Sequence, residues 1–166
     1  MSNLYQLTYA SQANVGLDEK GVNLEVGRIL TKSKSNNAQL NIGGVLYYAD
    51  GYFFQVLEGE REAVQNLYEK IARDERHSDA KILLEGFIDN SQFFNWTMHF
   101  VPSGSSIREL LKDYGLSRFT PFIFSKPLVN TLIEVLSMNG QYISKNTAKS
   151  KNATSGILSK FKRLFS

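Results

Sequence analysis

The order of apolar periods along the first hundred residues constrains the fold more than any other feature of this sequence. Alternating segments rich in β-branched and aromatic residues predict strands, and apolar residues at helical spacing predict helices. The predicted strands are 4–10, 41–48, 52–57, 81–88 and 97–101, and the predicted helices are 18–37 and 58–74. The order is strand, helix, strand, strand, helix, strand, with one strand added. This order predicts an α+β fold, a ferredoxin-like split βαβ sheet of five strands with two helices on one face.

The remainder of the chain predicts helices outside the sheet and a tail. Helical spacing recurs at 107–114 and 126–138, polar residues at 139–154 predict a linker, and apolar residues recur at helical spacing after it. We therefore divide the chain into a sheet domain at 1–101, a helical extension at 102–140, and a basic linker with an amphipathic tail at 141–166.

The positive charge of the chain is concentrated at its C-terminal end. The formal net charge of the 166 residues is +3. Residues 1–140 hold 13 Lys and Arg against 16 Asp and Glu, whereas residues 141–166 hold six basic residues and no acid. The body therefore lacks the basic field that nucleic acid requires. The tail could lie on an anionic membrane or an acidic partner, or it could be a frayed or self-docking helix.

Residue counts exclude several further classes. The absence of cysteine excludes disulfides, thiolate metal sites, iron–sulfur clusters and a catalytic thiol. The two histidines, His77 and His99, lie far apart in sequence, so we expect no histidine-based metal site. No apolar run is long enough for a transmembrane helix, and the first residues lack a secretion signal. These observations predict a cytoplasmic protein.

One amide stands out among the predicted strands. Gln55 interrupts an apolar strand, so it either faces solvent on the outer sheet face or lies buried with partners for its donors and acceptor. Tyr9 shares one side of the first strand with Tyr5 and Leu7, which could be the side under the helices. Taken alone, Tyr9 is most simply a core tyrosine.

Other polar and aromatic residues have ordinary structural explanations when taken alone. Asn36 and Asn37 suit the C-terminal cap of the first helix, and residues 74–77 suit the charged end of the second. Trp96 and Met98 lie on the same side of a strand, where packing is the simpler explanation.

Six short motifs nevertheless occur together in one order. They are Tyr9-Ala10-Ser11, Ser33-x-x-x-Asn37, Gly44-Val45-Leu46-Tyr47-Tyr48, Gly51-x-Phe53-Phe54-Gln55-x-Leu57-Glu58-Gly59, Arg73-Asp74-x-Arg76-His77 and Phe94-x-Trp96-x-Met98. Over about residues 3–101 they resemble the BLUF family, sensors of blue light using FAD. The short chain with added helices is similar to the single-domain BLUF photoreceptors.

This resemblance implies a noncovalent FAD whose ring lies between the two helices that pack on the sheet. It implies that Tyr9 and Gln55 form the photoactive pair, in which light-driven electron and proton transfer from the tyrosine rearranges the glutamine hydrogen bonds. The other implied cofactor-binding residues are Ile29, Ser33, Asn36, Asn37, Lys70, Ile71, Asp74, Arg76, His77 and Met98. Trp96 and Met98 are implied to lie next to Gln55 and to carry the signal outward.

The resemblance further implies a photoreceptor that turns over no substrate and is therefore not an enzyme. It implies a homo-oligomer that signals to a downstream regulatory protein. The sequence departs from the family at 41–44, where Asn-Ile-Gly-Gly replaces Gly-Ile-Thr-Gly, and at Lys70, where arginine is frequent. Two alternatives are an RNA-binding ferredoxin-like module, suggested by the aromatic strand at 51–56, and a flavin oxidoreductase.

Overall fold

The computed structural model describes residues 3–14, 39–93, 99–101 and 105–149. In this part of the chain the strands are β1 Leu4–Ala13, β2 Gly43–Ala49, β3 Tyr52–Glu60, β4 His77–Phe87 and β5 His99–Val101. They form one sheet in the order β4-β1-β3-β2-β5. All pairs among the first four strands are antiparallel, whereas β5 is parallel to β2. This arrangement confirms the predicted ferredoxin-like sheet.

Helices cover both faces of this sheet. The described helices are α1 Arg61–Ala72, α2 Ser105–Asp113 and α3 Lys126–Lys149, with a 3₁₀ turn at Pro121–Ile123. Helix α1 contacts β1, β3 and β4. Helix α3 contacts β4, β5 and α2, so the C-terminal helices pack against the sheet. The predicted helix at 18–37 lies outside the described residues.

The central strand β3 shows how the two faces are filled. Phe53 and Leu57 pack in a buried cluster with the apolar side of α1, whereas Phe54 and Val56 pack in a second cluster with α2 and α3. Successive side chains of a strand point to opposite faces. A strand buried on both faces has no polar side to show, which explains why this segment is almost continuously apolar.

The boundary between β3 and α1 differs from the prediction. Strand β3 continues to Glu60, where β1 flanks it on one side, and Glu58 still pairs with β2 on the other. The helix begins only at Arg61, because the Glu60 carboxylate accepts hydrogen bonds from the backbone N–H groups of Glu62, at 3.1 Å, and Ala63, at 2.9 Å. The expectation that Glu58 belongs to the helix start was therefore wrong.

Two further boundaries also differ. Helix α1 ends at Ala72, and His77 is the first residue of β4, paired with Ala13, so residues 74–77 do not form a helix end. Helix α3 continues to Lys149, although the polar composition from 139 onward predicts a linker. Residues 150–166, which hold the predicted amphipathic tail, lie outside the described residues.

The β2–β3 hairpin confirms the turn that its sequence predicts. Asp50 and Gly51 have φ angles of 51° and 86°, the left-handed values that a two-residue hairpin turn requires. The Asp50 carboxylate also accepts a hydrogen bond of 2.7 Å from the backbone N–H of Phe119. The hairpin tip thus connects the sheet to the segment between α2 and α3. In the described part of the chain, no helix is both long and apolar enough to cross a membrane.

Candidate cofactor site

The centre of the site is a tyrosine–glutamine pair on adjacent strands. Tyr9 on β1 lies directly opposite Gln55 on β3. Both side chains are buried, with 3% and 2% of their surfaces exposed, on the face that α1 covers. The Tyr9 hydroxyl donates a short hydrogen bond to Gln55 Oε1. Of the two orientations that the sequence leaves open for Gln55, the structure therefore shows the buried one.

Aromatic rings surround the Tyr9 phenol. The Tyr68 ring from α1 lies 5.3 Å from the Tyr9 ring, at 58° to it, and the His77 ring lies 6.5 Å away. Burial raises the pKa of Tyr9 well above its ordinary value of 10.0, and the nearby Tyr68 and Asp74 raise it further. A phenol with so high a pKa stays protonated at physiological pH, so Tyr9 is a neutral hydrogen-bond donor in the resting protein.

Two buried polar atoms near Tyr9 lack a partner within the described residues. His77 Nε2 lies 2.6 Å from the backbone carbonyl oxygen of Ile71. A carbonyl oxygen can only accept, so Nε2 carries the proton, while Nδ1 finds no hydrogen-bond partner in this part of the chain. Ser11 Oγ is also buried and unpartnered, on the side of β1 that Tyr9 faces. Unsatisfied buried polar groups are unfavourable, so this region suits a polar ligand.

An ion pair closes the turn between α1 and β4. The Asp74 carboxylate accepts hydrogen bonds from Arg76, at 3.0 Å from its backbone N–H and 2.8 Å from Nε, and a shorter one from Nη2. These hydrogen bonds hold the pKa of Asp74 at about 2, below its ordinary 3.8. Lys70 lies exposed in the last turn of α1 and Arg73 is its C-cap residue, so three cationic residues, with Arg76, mark this end of the helix.

The structure places seven of the residues that the resemblance implies. Tyr9, Gln55 and Ile71 border one buried cluster, and His77 contacts the Tyr9 and Phe53 rings. Lys70, Asp74 and Arg76 lie at the C-terminal end of α1 and in the turn after it. The others lie outside the described residues: Ile29, Ser33, Asn36, Asn37, Trp96 and Met98. The described residues of β5, His99–Val101, pair with β2.

The sequence singled out neither of two further residues, one beside Tyr9 and one on the opposite face of β3. Tyr68 lies on the apolar stripe of α1 and contacts Tyr9, and its helical position predicted only core packing. Glu58 is buried in β3 and binds the segment after β4, which no local pattern indicates. Among the described residues, no group of His, Asp and Glu could hold a metal ion.

A family model described as "Sensors of blue-light using FAD" matches residues 4–99, which is more than half of the chain. The chain belongs to the BLUF family. It is therefore a blue-light sensor domain whose cofactor is FAD, as the motifs suggested. Nδ1 of His77 and Oγ of Ser11 are buried and find no partner within the described residues, and such atoms fit a ligand as rich in hydrogen-bonding atoms as FAD.

Solved and curated relatives agree with this BLUF assignment. The photo-activated state of BlsA shares 35% sequence identity with a TM-score of 0.76, over 81% of this chain and 94% of BlsA. The dark state of the BLUF protein BlrB shares 27% identity with a TM-score of 0.68, over 82% of this chain and 96% of BlrB. The photoactivated adenylate cyclase subunit beta of Euglena longa is 44% identical over 78 residues, which is 47% of this chain. The chain spans about a tenth of the length of the curated relatives it matches.

Proposed function

We propose that this BLUF domain senses light through proton movement between the Tyr9 phenol and the Gln55 amide, without turnover of a substrate. The observation that supports this mechanism is the buried hydrogen bond from the Tyr9 hydroxyl to Gln55 Oε1. Bound FAD would supply the absorption of blue light and the capacity to accept an electron. The side chains of this protein would supply the proton and the change in hydrogen bonding.

The burial of Tyr9 explains why its proton moves only when its electron is removed. Because burial raises the pKa of Tyr9, removal of its proton alone would leave a charged phenolate in an apolar surrounding. Removal of an electron makes the phenol acidic, so the proton then moves along the existing hydrogen bond toward Gln55. When the electron and the proton return to Tyr9, the amide can stay rotated or in its other tautomer, and it then presents a different group to the same neighbours with little change in shape.

The remaining site residues have supporting roles in this proposal. Ile29 and Ile71 would clamp the two faces of the flavin ring, Asn37 would hydrogen-bond its edge, and Ser33 would lie close to the ring system. A second set would serve the ring edge, the ribityl chain and the phosphates: Asn36, Lys70, Asp74, Arg76 and His77. The described members of this set support these roles, because Nδ1 of His77 finds no hydrogen-bond partner among the described residues and Lys70 lies in the last turn of α1. Trp96 and Met98 carry the change at Gln55 outward.

The route of the signal leads through the sheet to the C-terminal helices. Gln55 faces α1, whereas its neighbours Phe54 and Val56 face the cluster that α2 and α3 complete. A change at Gln55 thus acts one residue away from the packing of these helices. We propose that the helical extension at 102–140 presents this change to a downstream regulatory protein, that the chain forms a homo-oligomer, and that the basic tail contacts a membrane surface or a partner. Curated relatives are named as photoactivated adenylate cyclase subunits, and solved relatives include light-regulated adenylyl cyclases.

The two alternative functions have less support. An RNA-binding sheet needs exposed aromatic rings for base stacking, but Phe53 and Phe54 of β3 are buried under helices on opposite faces. A flavin oxidoreductase would oxidise NADH in steady state, and we expect no such turnover.

The test is the absorption spectrum of the yellow protein before and after blue light. Tyr9→Phe and Gln55→Leu should each retain FAD and lose the light-induced red shift. Tyr5→Phe is the matched control, because Tyr5 is a buried tyrosine on the same side of β1 whose hydroxyl bonds Glu85 instead, at 2.6 Å. It should keep the shift. A normal shift in either of the first two variants would contradict the proposed pair, and a colourless protein that added FAD does not reconstitute would contradict the cofactor itself.

A further inference from the structure

Glu58 is a buried acid on the strand that carries Gln55. Only 2% of its surface is exposed, and it follows Gln55 by three residues. Strand alternation therefore places it on the opposite face of the sheet, the face that the C-terminal helices cover. A buried carboxyl group requires several hydrogen-bond donors, and the donors around Glu58 show which segments of the chain it holds in place.

The Glu58 side chain accepts hydrogen bonds on both oxygens. Oε1 accepts from Gln6 Nε2 at 2.9 Å and from the backbone N–H of Gln92 at 3.1 Å. Oε2 accepts from Ser91 Oγ at 2.5 Å and from the backbone N–H of Phe93 at 3.0 Å. Gln6 also donates to Gln92 Oε1 at 3.0 Å. Every partner atom of Glu58 is a donor, which matches the acceptor-only character of a carboxylate.

This network connects the two photoactive strands with the segment after β4. Gln6 precedes Tyr9 by three residues on β1, and it lies directly opposite Glu58 in the β1–β3 register. Relative movement of the two strands thus changes the Gln6–Glu58 contact. The segment 91–93, which Glu58 holds, leads into the residues that carry Trp96 and Met98.

The same segment also enters the core of the output face. Phe93 is fully buried and packs in the cluster that contains Val56 of β3 and Leu132 of α3. Glu58 therefore binds the backbone N–H of a residue that both the sheet and the C-terminal helices contact.

We propose that Glu58 is a positioning residue for the photoresponse: its carboxylate holds residues 91–93 against the strands that carry Tyr9 and Gln55, and so transmits the state of that pair to the segment of Trp96. This inference rests on the proposed function of Tyr9 and Gln55. Glu58 itself does not touch the photoactive pair, so it acts on the lifetime and the output of the signalling state rather than on its formation.

The decisive variant is Glu58→Gln, which keeps the size of the side chain but turns an acceptor oxygen into a donor that faces other donors. We expect bound FAD and an undiminished red shift. Dark recovery should change by about fivefold or more, since charge-assisted hydrogen bonds to the segment are lost. Trp96 is the only tryptophan of the chain, so acrylamide quenching of its fluorescence reports on this segment. The difference in quenching between dark and illuminated protein should fall well below that of the wild type.

Two controls separate this role from simple destabilisation. Asp89→Asn changes an exposed acid in the same connection to an amide and should behave as the wild type in every measurement. Glu58→Asp keeps both acceptor oxygens. Its dark-recovery rate and its light-dependent change in Trp96 quenching should therefore lie between those of Glu58→Gln and the wild type. If dark recovery and quenching are measured at a temperature equally far below the Tm of each variant, differences in stability no longer contribute to the comparison.

Unchanged recovery and an unchanged light response of Trp96 in Glu58→Gln would overturn the inference. Absence of the red shift in the wild type would instead refute the proposed function. If Glu58→Gln does not fold, Ser91→Ala and Gln6→Leu decide the question, because each removes one donor to Glu58. Wild-type recovery and quenching in both would equally overturn the inference.

Discussion

The buried hydrogen bond between Tyr9 and Gln55 should leave a distinct pattern in the stability of variants. Tyr9→Phe removes the donor and leaves Gln55 Oε1 without this partner in a position that is 2% exposed. Gln55→Leu removes the acceptor, so the buried Tyr9 hydroxyl loses its hydrogen bond to Gln55 Oε1. Loss of one member of a buried pair costs about 1–3 kcal/mol, so each single variant should lower the free energy of unfolding by that amount. For a domain of this size the Tm should fall by about 2–12 °C.

The double variant distinguishes this explanation from simple loss of packing. When both polar partners are replaced by apolar groups of similar shape, neither leaves an unsatisfied group behind. The free energy of unfolding of the double variant should therefore be no lower than that of the less stable of the two single variants. This corresponds to a coupling energy of about 1–2 kcal/mol between the two side chains. The free energies of unfolding of the two single variants and the double variant can be measured by urea unfolding of the FAD-loaded proteins in the dark, with far-ultraviolet circular dichroism as the signal. Additive losses would refute the view that the two side chains act as a buried pair.

Three further predictions concern the frame of the site. Because its pKa is held at about 2 by the hydrogen bonds of Arg76, ionised Asp74 should stabilise the fold above about pH 4 and lose that effect as the pH falls toward 2. Asp74→Asn should thus cost about 1 kcal/mol at pH 7 and clearly less at pH 2 in urea unfolding, because about half of the Asp74 carboxyl groups are then protonated in the folded protein; an equal loss at both pH values would contradict this. Asp50→Ala leaves the backbone N–H of Phe119 without its acceptor and should cost about 1–2 kcal/mol, while an unchanged unfolding midpoint would show that the hydrogen bond contributes nothing. Leu132→Ala should cost about 2–5 kcal/mol, because this side chain is fully buried between α3 and the sheet; a loss below 1 kcal/mol would mean that α3 does not pack there.

The elements of the fold were predictable where a local pattern carried the information. Alternation along β1, the Asp50-Gly51 turn and the apolar stripe of α1 each depend on residues within a few positions of one another. The ends of elements were less predictable. Strand β3 extends to Glu60 because β1 pairs with it up to that residue, and β4 begins at His77 because β1 reaches Ala13. Those partners are distant in sequence, so local propensity could not indicate them.

The candidate site was predictable in part for the same reason. The motifs name Tyr9 and Gln55 as functional residues, but the pattern of β3 alone allows Gln55 to face solvent. The register of β1 against β3 places Gln55 opposite Tyr9, on the face that α1 covers. Glu58 lies within one of the same motifs, yet its acidic character suggested the start of a helix. Its donors lie on β1 and after β4, and only the folded sheet brings them together.

The sequence by itself determined the kind of sheet, its helices and the family, because periodicity and short motifs are properties of neighbouring residues. The tertiary structure alone decided which polar groups are buried together. Tyr9 and Gln55 are 46 residues apart, and Glu58 and Phe93 are 35 apart. Contacts at such separations depend on strand register and on which face of the sheet each helix covers, and those are set by the burial of the whole apolar surface at once.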